Sequence, residues 1–373
     1  MVVKPWGIEG TRVYYLNGGG ATYKSIGVDE IVTDALANEV NTIITISAGN
    51  FVGAVAGELK RRNLAERILL VNLVNRPLQN PSSLEMVIES NLVLRDAAER
   101  EAYAAERIPH AGKVRDYTDF IPQALVSEAD KVLSTGAGYI GLSLGGGKFW
   151  VTLDRRIKSK DLKVKLIGVV PEYNGIFKDD NLYTDSNGLL RYKKFEPDEI
   201  FDKISTPYTY YKDEIVGSLE RGNVIIQASK EQILRAWYTA YMSHPDVSYA
   251  MPEPSAAAAF VVDSPEIRRK YGVSPDKLLI VNTGNGLGED SYLQRHNSNV
   301  DQVKPQLYIE FLKRLPEFER RASSTDQCLM YEWAVVFVSG SVPQRTTLND
   351  KSFLETIAGQ GRAARAGIGL VKM

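Results

Sequence analysis

A lysine amine becomes a nucleophile when its surroundings keep it uncharged, and Lys24 stands in a setting suited to that. It follows the glycine-rich run Asn17-Gly18-Gly19-Gly20-Ala21-Thr22-Tyr23 at the start of a helical pattern. There its amine can form a Schiff base with an aldehyde. Three distant segments supply what a phosphate-bearing aldehyde cofactor and an acid substrate require. Ser47-Ala48-Gly49-Asn50 turns a strand into a helix, so its backbone N–H groups suit a substrate carboxylate, and Asn50 adds a side-chain donor. Thr135 and Gly136-Ala137-Gly138-Tyr139-Ile140-Gly141 match G-x-G-x-x-G between an expected strand and helix, where glycine lets amides approach a phosphate. Thr283, ending a strand at Thr283-Gly284-Asn285-Gly286, offers a neutral hydroxyl to a ring nitrogen; an aspartate there would hold that nitrogen protonated. Each segment alone also has a plainer reading: a solvated lysine, an N-cap with a glycine turn, or a β-turn. Gly145-Gly146-Gly147-Lys148 lacks the spacing and the following Ser or Thr of a Walker loop, so it reads as a turn with Lys148 meeting solvent.

Positioning these residues takes strands whose ends share one edge. The hydrophobic pattern predicts strands over residues 11–16, 41–47, 67–73, 92–95, 131–133, 163–170, 223–227 and 277–282. Helices are predicted over 23–37, 51–62, 82–91, 97–107, 120–129, 230–243 and 253–262, with another opening after Gly138. Residues 173–218 read mostly as loop and short helix. Strands alternating with helices imply an α/β fold with parallel sheets and crossover connections. The segment 291–373, with a helix near 305–314 and a strand over 333–338, carries no recognisable chemistry.

In order and spacing, these motifs resemble the tryptophan-synthase-β-like, fold type II pyridoxal-phosphate enzymes, which include threonine synthase, threonine dehydratase and cysteine synthase. The resemblance spans about residues 12–290. The run Ala21-Thr22-Tyr23-Lys24-Ser25-Ile26-Gly27 is similar to the Schiff-base lysine motif, and Ile46-Ser47-Ala48-Gly49-Asn50 to the substrate-carboxylate loop. Thr135-Gly136-Ala137-Gly138 resembles the phosphate-cradling loop, Ile167–Glu172 the strand after it, and Glu253-Pro254-Ser255-Ala256-Ala257 a later helix entry. Thr283-Gly284-Asn285-Gly286-Leu287 resembles the ring-nitrogen segment. Ser25 stands where many members are acidic, and Phe51 where histidine or threonine is usual.

The resemblance implies two open parallel-type sheet domains with helices on both faces and pyridoxal 5'-phosphate in the cleft between them. Residues 1–40 and 131–290 would form the larger, cofactor-binding domain and 41–130 the smaller, substrate-side domain. It further implies Lys24 as the Schiff-base lysine and Asn50 as partner of the cofactor's phenolic oxygen. Ser47, Ala48, Gly49 and Asn50 would hold the substrate, Thr135, Gly136, Ala137 and Gly138 the phosphate, and Thr283 the ring nitrogen. The activity implied is an amino-acid lyase like threonine synthase, with a serine/threonine dehydratase or a cysteine-synthase-like β-replacement enzyme as the alternative. A catalytically silent protein of this fold and a dinucleotide-dependent oxidoreductase are further alternatives. A homodimer is expected.

Composition narrows the remaining classes. The 45 basic residues nearly balance the 46 acidic ones, and no block of like charge marks a nucleic-acid surface. The lone Cys328 cannot form an intramolecular disulfide, and no His/Cys cluster has the spacing of a metal site. Without an apolar signal core or a membrane-length apolar run, the chain reads as cytoplasmic, and the resemblance implies a small-molecule amino-acid substrate as its partner.

Overall fold

The computed structural model describes residues 3–6, 10–16, 23–47, 50–74, 85–89, 93, 96–172, 182–193, 204–206, 208–242 and 252–284. In chain order these form β1 (Val3–Trp6), β2 (Thr11–Tyr15), α1 (Val28–Ala37), β3 (Thr42–Thr45), α2 (Asn50–Arg61), β4 (Leu69–Val74) and β5 (Glu85–Glu89). They continue with α3 (Ala97–Ala105), β6 (Val114–Asp116), α4 (Gln123–Leu133), β7 (Tyr139–Ser143), α5 (Lys148–Ser159) and β8 (Lys165–Pro171). After these come β9 (Leu182–Thr184), β10 (Leu190–Tyr192), α6 (Lys212–Glu220), β11 (Val224–Ala228), α7 (Lys230–Met242) and β12 (Leu278–Asn282).

Two sheets carry the fold. The larger has the order β1-β2-β12-β7-β8-β11 and is parallel except where β1 pairs with β2; the smaller, β5-β4-β3-β6, is parallel throughout. A parallel sheet covered on both faces needs strands that are apolar on both sides. Ile43, Ile44, Ile140, Leu142, Leu279, Ile280 and Val281 meet that need, each buried to within 1 % of complete. Over the larger sheet, α4 contributes Leu125, Ala129 and Val132, and α5 contributes Phe149, Trp150 and Leu153, to one continuous core.

The smaller sheet packs α1 and α2 on one face, through Val28, Ile31, Val32, Val55 and Leu59. Ala104 of α3 lies in the core on the opposite face with Ile44 and Val71. The cores therefore divide the chain differently from the expected boundaries at two helices: α1 packs with the smaller sheet, and the whole of α4 with the larger.

Three predicted elements are corrected. Residues 131–133 are the last turn of α4, because Leu125, Ala129, Val132 and Leu133 fall at i, i+4, i+7 and i+8 and line one buried helical face. The glycines after them lead into strand β7 instead of a helix, since Tyr139–Ser143 is a short apolar run held between β12 and β8. The segment predicted helical over 82–91 contains β5, which adds Glu85–Glu89 in parallel to the edge of β4. The predicted strand 92–95 and the C-terminal elements lie outside the described residues, apart from Val93. Among the described residues, no helix is long and apolar enough to cross a membrane, and no group of three or more His, Cys, Asp or Glu could hold a metal ion.

Candidate active site

Ligands of open α/β sheets bind beyond the carboxyl ends of the strands. In the larger sheet those ends bring together the turn carrying Lys24, the Thr283 segment and the exit of β7. Lys24 lies in a single 3-10 turn, Tyr23–Ser25, and helix α1 starts only at Val28. Gly27 separates the two: its φ of 75° is left-handed, and a Cβ there would lie 2.1 Å from Cβ of Pro122. Only glycine fits. The turn is fixed from below, where the Tyr23 amide donates to the Thr283 carbonyl at 3.2 Å. It is fixed from the side by the Tyr23 ring, 5.9 Å centroid to centroid from Phe149 on α5. Burial, with the Glu253 carboxylate as a second cause, pushes the Tyr23 phenol up to about 12, so it stays protonated at neutral pH.

Thr283 is buried, and its hydroxyl lies 3.1 Å from that of Ser143 at the end of β7. This makes Ser143 a further polar residue of the site; it lies within a span predicted to be helical, where no motif singles it out. Gly284 crosses so close to Glu253 that an added Cβ would meet the carboxyl carbon at 2.6 Å, and the Glu253 amide donates to the Gly284 carbonyl at 3.0 Å. Asn285 and Gly286 lie outside the described residues.

The glycine loop at this edge is Gly145-Gly146-Gly147, between β7 and α5, and not Thr135-Gly136-Ala137-Gly138. The latter four residues join α4 to the start of β7. There the Gly138 amide donates to the Lys277 carbonyl at 3.0 Å, its carbonyl accepts from the Lys165 amide at 3.0 Å, and Arg12 donates to the Thr135 carbonyl at 3.0 Å. Those contacts lie at the amino ends of β12, β8 and β2. The length of β7, about 15 Å at roughly 3.3 Å per residue, separates them from Thr283.

Gly145, Gly146 and Gly147 instead open α5, where backbone N–H groups have no helical partner. Gly147 is left-handed at φ 88°, and a Cβ there would sit 2.9 Å from Ile215 Cδ1. The Gly146 carbonyl accepts from Thr209 Oγ1 at 2.9 Å, while a Cβ on Gly146 would meet nothing within 4 Å. Among the described residues none accepts a hydrogen bond from the three glycine amides. Gly146→Leu is therefore expected to keep its fold to within about 1 kcal/mol but to retain a bound phosphate compound poorly, whereas Gly138→Ala should leave retention unchanged. Dialysis followed by phosphate and cofactor assay checks this; equal retention in both variants would place the cradle elsewhere.

Across from this edge, the smaller sheet ends at Ser47. Its hydroxyl accepts from the amides of Phe51 and Val52 at 3.2 and 3.4 Å, capping α2. Its backbone is locked to Asn72, whose side chain accepts from the Ser47 amide and donates to the Ser47 carbonyl, both at 3.0 Å. Sequence reasoning misses Asn72, since a single polar residue in an apolar strand carries no motif. Ala48 and Gly49 lie outside the described residues, and Asn50 is the first residue of α2.

Lys148 is not a surface lysine. Its Nζ donates to the Phe120 carbonyl at 3.1 Å and stands 4.7 Å from the ring centre of Phe51. Burial, helped by the nearby Lys24 and Arg100 cations, lowers its pKa to about 8 against the pull of Asp119 and Asp116. Arg100 of α3 is fully buried, donates from Nε to Asp116 at 2.9 Å, pairs also with Asp119, and lies 4.8 Å from the Tyr210 ring centre.

No protein-family model matches the sequence, and no curated protein matches it. Solved structures do. An aspartate racemase described as pyridoxal 5'-phosphate-dependent is 18 % identical, with a TM-score of 0.52, over 74 % of this chain and 85 % of its own. A threonine deaminase from T.th. is 15 % identical, with a TM-score of 0.50, over 74 % and 87 %. The processed threonine deaminase isoform 2 of Solanum lycopersicum is 15 % identical, with a TM-score of 0.51, over 79 % and 87 %. With two largely parallel sheets of this order, the chain shares the α/β fold of these structures.

Proposed function

We propose that the chain is a pyridoxal 5'-phosphate-dependent enzyme acting on a small amino acid, with Lys24 as the lysine that carries the cofactor. The observation that carries this reading is the convergence, at the carboxyl edge of the larger sheet, of the Lys24 turn, the Ser143–Thr283 hydroxyl pair and the Gly145–Gly147 loop. The donor set fits the group: an amine for its aldehyde, a neutral hydroxyl for its ring nitrogen, and glycine amides at the start of α5 for its phosphate. When bound, that cofactor supplies an electron sink for the pair of electrons left when a bond at the amino acid's α-carbon breaks.

The chain's own residues do the rest. Lys24 would serve as the base that takes the α-proton of the substrate. The substrate carboxylate is assigned to the segment that follows Ser47, whose own backbone Asn72 pins. Thr283 would offer the ring nitrogen a neutral hydroxyl, held in place by that of Ser143. We assign the reaction to elimination or replacement at the β or γ carbon, as in a threonine-synthase-like lyase. A serine/threonine dehydratase or a cysteine-synthase-like enzyme is the alternative.

The test is to incubate the purified chain with pyridoxal 5'-phosphate, desalt it, and record the spectrum. A retained visible band is expected. A panel of phosphohomoserine, threonine, serine, acetylserine and phosphoserine should then yield turnover with one of them. A chain that retains no cofactor, or that retains it and turns over none of the panel, would contradict the enzyme assignment.

A further inference from the structure

A run of three glycines leaves the backbone free to turn a peptide group over, so a loop that presents amides to an anion gains from a side chain that fixes it beforehand. Thr209 supplies such a side chain to the Gly145–Gly147 loop. Its hydroxyl donates to the Gly146 carbonyl at 2.9 Å and accepts from the Tyr211 amide at 3.2 Å, so the proton of the hydroxyl is committed to that carbonyl. Thr209 is only 1 % exposed, although it belongs to the stretch 173–218, where no motif marks it. Its neighbours hold it in place. The Tyr210 ring centre lies 4.8 Å from the guanidinium carbon of Arg100, and the Tyr211 phenol donates to the Asp119 carbonyl at 3.4 Å. Ile215 closes over Gly147 from the same side.

The Gly146 carbonyl and the Gly147 N–H belong to one planar trans peptide, in which they point to opposite sides. Drawing the carbonyl to Thr209 therefore turns the Gly147 N–H away from the segment 209–211. Gly146 is exposed, and a Cβ on it would meet nothing within 4 Å, so the loop borders open space. We propose that Thr209 is a positioning residue of this loop: its hydroxyl sets the Gly146–Gly147 peptide with the N–H directed at the cofactor phosphate. This rests on the proposed role of the loop as the phosphate cradle. No bond to Thr209 is made or broken; it acts through that one peptide.

Pyridoxal 5'-phosphate and pyridoxal differ only in the phosphate, so the ratio of their dissociation constants reads the cradle apart from the rest of the site. The unaltered chain should prefer the phosphate compound. Thr209→Val keeps the shape of the side chain and loses the hydroxyl; it should reduce that preference roughly tenfold, the effect of one hydrogen bond, and leave the affinity for pyridoxal unchanged. Thr209→Ser should restore the preference. A merely structural role would instead weaken both compounds alike. Hydrogen exchange followed by NMR needs no variant to fold: in the unaltered chain the Gly147 amide should exchange more slowly with pyridoxal 5'-phosphate bound than with pyridoxal bound. An unchanged preference in Thr209→Val, an equal loss for both compounds, or Gly147 exchange indifferent to the phosphate would overturn this inference and leave the function standing. An unaltered chain that binds neither compound would overturn both.

Discussion

Lys24→Ala is expected to fold as the parent does and to lose amino-acid turnover. Lys24 sits in one 3-10 turn whose anchors are its neighbours: the Tyr23 amide on Thr283, the Tyr23 ring on Phe149, and Gly27 against Pro122. The lysine side chain is partly exposed and contributes little to these. Removing it should therefore shift the unfolding midpoint only slightly. Loss of the acid–base role alone would cost about 10²–10⁴-fold in rate, and loss of the attachment point adds to that. Turnover, α-proton exchange in deuterated water and thermal unfolding, measured on one preparation, check it. A folded variant that retains the visible band and turnover would contradict the assignment.

Arg100→Met is expected to be the most destabilising single change near the site, by about 3–5 kcal/mol, the cost of stranding a buried charge. Arg100 is 0 % exposed, and Asp116, the more deeply buried of its two partners, 8 %. Asp116 is further committed, accepting from the Thr118 hydroxyl at 2.6 Å and donating its amide to Glu101 at 2.8 Å, so it has no room to turn toward solvent. The double variant Arg100→Met, Asp116→Asn should recover part of the loss, because the stranded charge is gone. Urea unfolding of both variants tests this; a loss below about 1 kcal/mol in the single variant would show that the pair is hydrated. The cluster also bears on the site, since Asp119 and Phe120 follow Asp116 closely in the chain and Phe120 anchors Lys148.

The β3-to-α2 connection is legible because an apolar β-branched strand runs straight into an amphipathic helix, leaving one place for the turn at Ser47. Thr283 is legible for a similar reason, at the end of the five-residue buried run Leu278–Asn282. The loop proposed to hold the phosphate is not. Two glycine clusters lie close together, and the first carries the better-known spacing, so it attracts the assignment. What decides between them is the buried stripe of α4, which runs through residues 131–133 and leaves no strand before Gly136; only Gly145–Gly147 follows a strand. Lys148 reads as exposed for a related reason, since its burial depends on Phe51 and Phe120, both distant in sequence. The Ser143–Thr283 pair spans 140 residues, and no local pattern encodes it.

The central claim is that Lys24 carries the cofactor, and borohydride reduction of the loaded protein followed by peptide mapping tests it most directly. A single phosphopyridoxyl group is expected on the peptide containing Lys24, none on the one containing Lys148, and no fixed group in Lys24→Ala. A label on Lys148 or any other lysine, with Lys24 unmodified, would contradict it.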